Sequence, residues 1–108
     1  MTSGFDERKK AQEEKFAHDK ELRFKAKARR NKLLGLWAAD LLGLEGAAAE
    51  EYAKEVVIAD LEEAGDEDVF RKLREDFDAK GVDISDHRIR HHMETFMTEA
   101  MRQVKAEG

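Results

Sequence analysis

The chain has no cysteine and no proline, only seven glycines, and no long apolar run. Without cysteine there are no disulfides, no thiolate metal sites and no thiol nucleophile, and nothing that points to an oxidising compartment. Without proline the main breaker of helices is missing, which over 108 residues favours long uninterrupted helices. The best apolar stretch, Leu33 to Leu44, is cut by Asp40 and falls short of the roughly 18–20 residues of a membrane span. The N-terminus mixes acids and bases without an apolar core, unlike a secretory signal. The sequence reads as a soluble, intracellular, helical protein the size of one domain.

What is present is charge, at 42% of residues, with a net value of -5. Its distribution is uneven: residues 1–32 hold 11 Lys/Arg against six acids, while residues 33–108 hold nine against 19. The basic end alone could suggest a nucleic-acid partner, but the acidic remainder would repel a polyanion.

Periodicity and punctuation place four helical stretches. The first core helix spans about Lys20 to Leu42, with Leu33, Leu34, Trp37, Leu41 and Leu44 recurring at three and four residues. Gly43 suits a left-handed cap, with Leu44 folding back on the last turn. The second covers about Ala47 to Ala64, with Ala49, Tyr52, Ala53, Val56, Val57, Leu61 and Ala64 on one side and Gly65 ending it. Asp66 is the expected N-cap of the third, whose stripe is Val69, Phe70, Leu73 and Phe77 and whose terminator is Gly81. Ser85 caps the fourth, Ile84 and Ile89 form a hydrophobic staple, and Met93, Phe96, Met97, Ala100 and Val104 continue the stripe to about Ala106. Short linkers and the absence of period-two alternation give an all-α fold, a small antiparallel four-helix bundle over residues 20–108.

Residues 5–21 differ. They are good helix formers, and Asp6/Lys10, Lys9/Glu13, Lys10/Glu14 and Lys15/Asp19 are opposite charges four apart. Their apolar content is thin, and Phe5 and Phe16, eleven residues apart, share nearly one face. Two readings stand: a frayed, solvated extension, or an arm over residues 1–19, disordered when free, that becomes a fixed helix when a partner covers those rings.

Other constellations are weaker. His87 and His91 have a metal-compatible spacing with His92 adjacent, and Asp83 and Glu94 as possible additions, but a solvated helix face explains them. The basic run Lys20 to Lys32, which includes Phe24, could touch phosphates or a partner helix, although its residues go round the helix. Trp37 and Tyr52 fall on core stripes. No glycine-rich phosphate loop, nucleophile elbow or paired metal motif is present, which argues against an enzyme.

The run KFAHDKELRFKAKARRNKLLGLWAADLLGL, from Lys15 to Leu44, resembles the zeta subunit of alphaproteobacterial F-type ATP synthases. The similarity continues through YAKEVV at Tyr52 to Val57, EEAGDEDVFRK at Glu62 to Lys72 and GVDISDHRIR at Gly81 to Arg90. The resemblance implies a four-helix bundle whose N-terminal segment inhibits ATP hydrolysis by the catalytic head, similar in function to the mitochondrial ATPase inhibitor protein. The inhibitory region maps onto roughly Met1 to Asp19. Phe5, Asp6, Arg8, Ala11, Glu13, Lys15 and Phe16 match the family pattern there; Gln12, where an aromatic is commoner, departs from it, and Lys9 and Lys10 vary. The implied partners are the α, β and rotor γ subunits of the head. No nucleic acid, no direct membrane insertion and no metal or other cofactor is implied, apart from weak adenine-nucleotide binding at no identifiable site. The implied location is cytoplasmic, at the inner membrane through the synthase. A small helical adaptor, binding a protein helix or nucleic-acid backbone through residues 20–32, is the alternative.

Overall fold

A computed structural model describes residues 3–61 and 65–107, with side chains described for 19–61 and 65–107. Four helices account for it: α1 (Ser3–Leu41), α2 (Gly46–Ala59), α3 (Glu67–Lys80) and α4 (Asp86–Glu107), with no strand among the described residues. The fold is the all-α four-helix bundle that the stripes predict. Helix α1 spans the boundary drawn at residues 19–20, and the side chains on the arm side of that boundary lie outside the described residues.

Every neighbouring pair is antiparallel, as the side-chain contacts show. Between α1 and α2, Asn31 meets Asp60 while Gly35 meets Ala53. Between α2 and α3, Tyr52 meets Asp76 and Glu55 meets Lys72. Between α3 and α4, Glu67 meets Arg90 and Arg74 meets Asp86. The circle closes with Arg29 on Glu107 and Trp37 on His92, between α1 and α4.

Two caps take the predicted form. At Gly43 the Leu44 amide donates to the Ala39 carbonyl (2.8 Å) and the Gly43 amide to Asp40 (3.1 Å). Gly81 repeats this with Val82 to Phe77 (2.8 Å) and Gly81 to Asp78 (3.1 Å). Both glycines have positive φ, which a residue with a Cβ adopts only at a cost. At the start of α4 the Ser85 hydroxyl accepts from the Arg88 amide (3.1 Å), and Ile84 and Ile89 are both buried.

The main core joins Leu34, Ala38 and Leu42 of α1 to Tyr52 and Val56 of α2, Val69, Leu73 and Phe77 of α3, and Ile89 and Met93 of α4. A second, smaller cluster lies between α1 and α4 alone, with Ala26, Ala100 and Val104 at its centre and Leu22, Leu33, Met97 and Met101 around them.

Four expectations are corrected. Helix α2 stops at Ala59, not Ala64, because Asp60 turns inward to accept from Asn31 (2.8 Å); Leu61 consequently leaves the stripe and is 71% exposed. Ala64 lies outside the described residues. Leu41 is 41% exposed and Leu42 takes its core place, since Ala38 and Ala39 bring the last turn close to its neighbours. Asp66 stands at the N-cap of α3 but makes no side-chain cap bond, its carboxylate being held by Arg30. Trp37 is only half-buried, at the edge of the core.

Candidate functional site

The side chains singled out on the arm, Phe5, Asp6, Arg8, Lys9, Ala11, Gln12, Glu13, Lys15 and Phe16, lie outside the described residues. What the structure describes is the stem that carries them, residues 19–33 of α1, and how it is seated. Along one side, Leu22, Ala26 and Leu33 pack on Met97, Ala100, Met101 and Val104 of α4. The intervals of four and seven residues are about one and two turns, which keeps one face of the helix against its neighbour. Arg29 closes the end of that seam, donating to Glu107 through both terminal nitrogens and to Gln103 (3.1 Å).

The other side of the stem is polar and interior. Arg30 is 2% exposed; its Nε donates to Asn31 Oδ1 (2.7 Å) and its Nη2 to Asp66 Oδ1 (2.8 Å). Asn31 in turn donates through Nδ2 to Asp60 Oδ2 (2.8 Å), and Lys27 Nζ lies 3.5 Å from Asp60 Oδ1. The Arg30 hydrogen bond holds the Asp66 carboxyl below the usual carboxylate range, helped by the nearby Lys27 charge. Buried charges persist only when paired in this way. The network ties the stem to the end of α2 and the start of α3, fixing the direction in which α1 leaves the bundle.

This arrangement revises the reading of residues 20–32 as a basic binding stretch. Arg30 is buried and Lys27 and Arg29 are half-buried, and the three are engaged by Asp60, Asp66 and Glu107. A phosphate backbone reaching these three cations would have to displace those carboxylates, which counts against the nucleic-acid form of the adaptor alternative.

The histidines divide. His87 and His91 are exposed, whereas His92 stacks on the Trp37 indole at 4.1 Å with the rings 14° from parallel. Its Nδ1 lies 2.9 Å from the Arg88 carbonyl oxygen. On the inner side Trp37 and Phe77 meet edge to face, with centroids 5.8 Å apart. Among the described residues no three His, Asp or Glu side chains are grouped to hold a metal ion. Tyr52 is buried as its stripe predicts, with its hydroxyl donating to Asp76 (2.7 Å); burial, then that bond, pushes the phenol's pKa up.

Sequence reasoning missed the Arg30–Asn31–Asp60–Asp66 network. One signal was available: Asp60 follows Val56 by four residues and so falls on the α2 stripe, where a charge needs a buried partner.

Comparison with known proteins places the chain. A protein solved by solution NMR is 48% identical to it, with a TM-score of 0.71 over 81% of this chain and 99% of that one. Among curated proteins none matches significantly. The family model of ATPase inhibitor subunit zeta matches residues 1–103, taking in both the arm and nearly all of the bundle, and the chain therefore belongs to the ATPase inhibitor subunit zeta family.

Proposed function

We propose that the chain inhibits ATP hydrolysis by an F-type ATP synthase by inserting the N-terminal part of α1 at a catalytic αβ interface, against the central rotor. The protein is a regulatory subunit in this reading, and the α, β and γ subunits of the catalytic head are its partners. The observation that carries it is the family match, which runs through residues 1–103 and so includes the segment with too few apolar residues to join the core. The seated stem supports it: a helix held by an apolar seam on one side and a charge network on the other can transmit force to the bundle.

The mechanism is mechanical. A helix wedged between α and β keeps the interface from passing through its next conformation, and hydrolysis stops. A block in one direction requires contacts that exist only in conformations visited during hydrolysis, so that rotation in the synthetic direction expels the wedge. The bundle, too wide to follow, stays outside.

Phe5→Ala and Phe16→Ala test the insertion. Each ring, covered at the interface, contributes about 1–4 kcal/mol of binding, so each variant should inhibit only at concentrations about fivefold to several hundredfold higher. Gln12→Phe should strengthen inhibition by restoring an apolar group one turn before Phe16. Unchanged inhibition by all three variants contradicts the insertion.

A further inference from the structure

Phe24 and Ile58 are 70% and 59% exposed, a large apolar exposure for a bundle whose surface is otherwise dominated by charge. They lie along one surface. Lys32, Glu50, Ala53, Lys54, Val57 and Ile58 line a shallow groove of about 350 Å³ between α1 and α2. Lys32 also borders a second hollow with Phe24, Lys25, Ala28 and Arg29, so the two adjoin. The floor is apolar and the rim is basic. Lys25, Lys32 and Lys54 are exposed and make no ion pair among the described residues. Of the acids lining the two hollows, Glu107 is taken up by Arg29, which leaves Glu50.

We propose that this lysine-rimmed groove between α1 and α2 is a second docking surface, and that it takes an acidic amphipathic helix on the outside of the catalytic head. The proposal rests on the inhibitory reading and goes beyond it, since that reading assigns contact to the arm alone. Charge selects the occupant. The rim joins Lys25 and Lys32 of the basic N-terminal third to Lys54 of α2, three cations unpaired among the described residues beside one free acid, which suits an acidic partner. A second copy seated on the same face would set lysine against lysine. The floor of Val57, Ile58, Ala28 and Phe24 requires apolar side chains at helical spacing on the partner. Helix α1 supplies the geometry: Phe24 lies about 12 Å along the axis from Phe16, so an inserted arm brings this face to the surface of the head.

The absence of cysteine makes the test direct. Ile58→Cys, carrying a thiol-linked photo-crosslinker, is mixed in the full chain with the isolated catalytic head of an F-type ATP synthase and illuminated. Thr98→Cys, on an exposed position of α4, is the control. The proposal expects adducts to an acidic helix of an α or β subunit from position 58 and few from position 98. Equal yields from both positions, or chain-to-chain adducts alone from position 58, overturn it. In addition, Lys32→Glu with Lys54→Glu should weaken binding to the head about tenfold, mainly through slower association, and reduce its salt dependence. Both positions are exposed, so the melting transition should hold, and unchanged binding overturns the proposal. Inhibition by the unlabelled chain is measured in parallel. Inhibition without a groove adduct overturns the groove alone, whereas no inhibition overturns the inhibitory reading and the groove with it.

Discussion

Gly35 lies so close to Ala53 that a Cβ built on it would stand 2.7 Å from the Ala53 Cα and 3.3 Å from the Val56 side chain. A glycine inside a helix ordinarily costs about 1 kcal/mol relative to alanine. Here it lets α1 and α2 approach backbone to backbone, and the atom in the way cannot rotate aside. Gly35→Ala should therefore destabilise by roughly 1–3 kcal/mol despite its better helix propensity. Urea unfolding followed by helical circular dichroism measures this, and a stabilised variant would contradict the close packing.

Phe77 and Trp37 rank differently from what their size suggests. Phe77 is fully buried on α3, while Trp37 is half-buried and covered on one face by His92. Phe77→Ala should cost about 3–5 kcal/mol, and Trp37→Ala distinctly less. Unfolding midpoints of the two variants, compared at equal m-values, decide the order.

Much of this fold was legible in the sequence because helices advertise themselves locally. The stripes of α3 and α4, the Ser85 cap and the Gly43 and Gly81 terminators depend on residues within a turn of one another. The end of α2 was not legible, because it depends on Asn31 reaching Asp60 from 29 residues away. Arg30 read as part of a basic run for the same reason: its partner Asp66 is 36 residues distant, and nothing local distinguishes a buried arginine from a solvated one. The expectation of an arm rests on the few apolar residues of 1–19 and on the family resemblance, whereas the seat of the stem required the tertiary contacts.

The Arg30 network carries a pH prediction. Arg30 depresses the Asp66 pKa below its ordinary value of 3.8, so the folded state favours the ionised carboxyl. The resulting stability is present above that ordinary value and is lost as pH falls through the lower, folded one. Glu99 behaves similarly, held down to about 2 by Arg102 and Gln103. Thermal melts should thus show stability falling as pH drops from about 4.5 towards 2. Arg30 Nη2 also lies 3.8 Å from the buried Asp60 Oδ1, so Arg30→Met should lower stability at neutral pH by roughly 3 kcal/mol, by removing the Asp66 partner and leaving Asp60 with one cation fewer, and should flatten the Asp66 part of the acid dependence. An unchanged acid slope in that variant would contradict the pairing.

The central claim is that the N-terminal part of α1 inhibits while the bundle holds it. Deleting residues 1–15 and titrating the truncated chain against ATP hydrolysis by the catalytic head, with its melting curve recorded alongside, tests it most directly. Among the residues with described side chains, the core clusters run from Leu22 onward, beyond the deletion. The account predicts that inhibition disappears while the melting transition is almost unchanged. Inhibition by the truncated chain at the same concentrations as the full chain would contradict it and place the activity in the bundle.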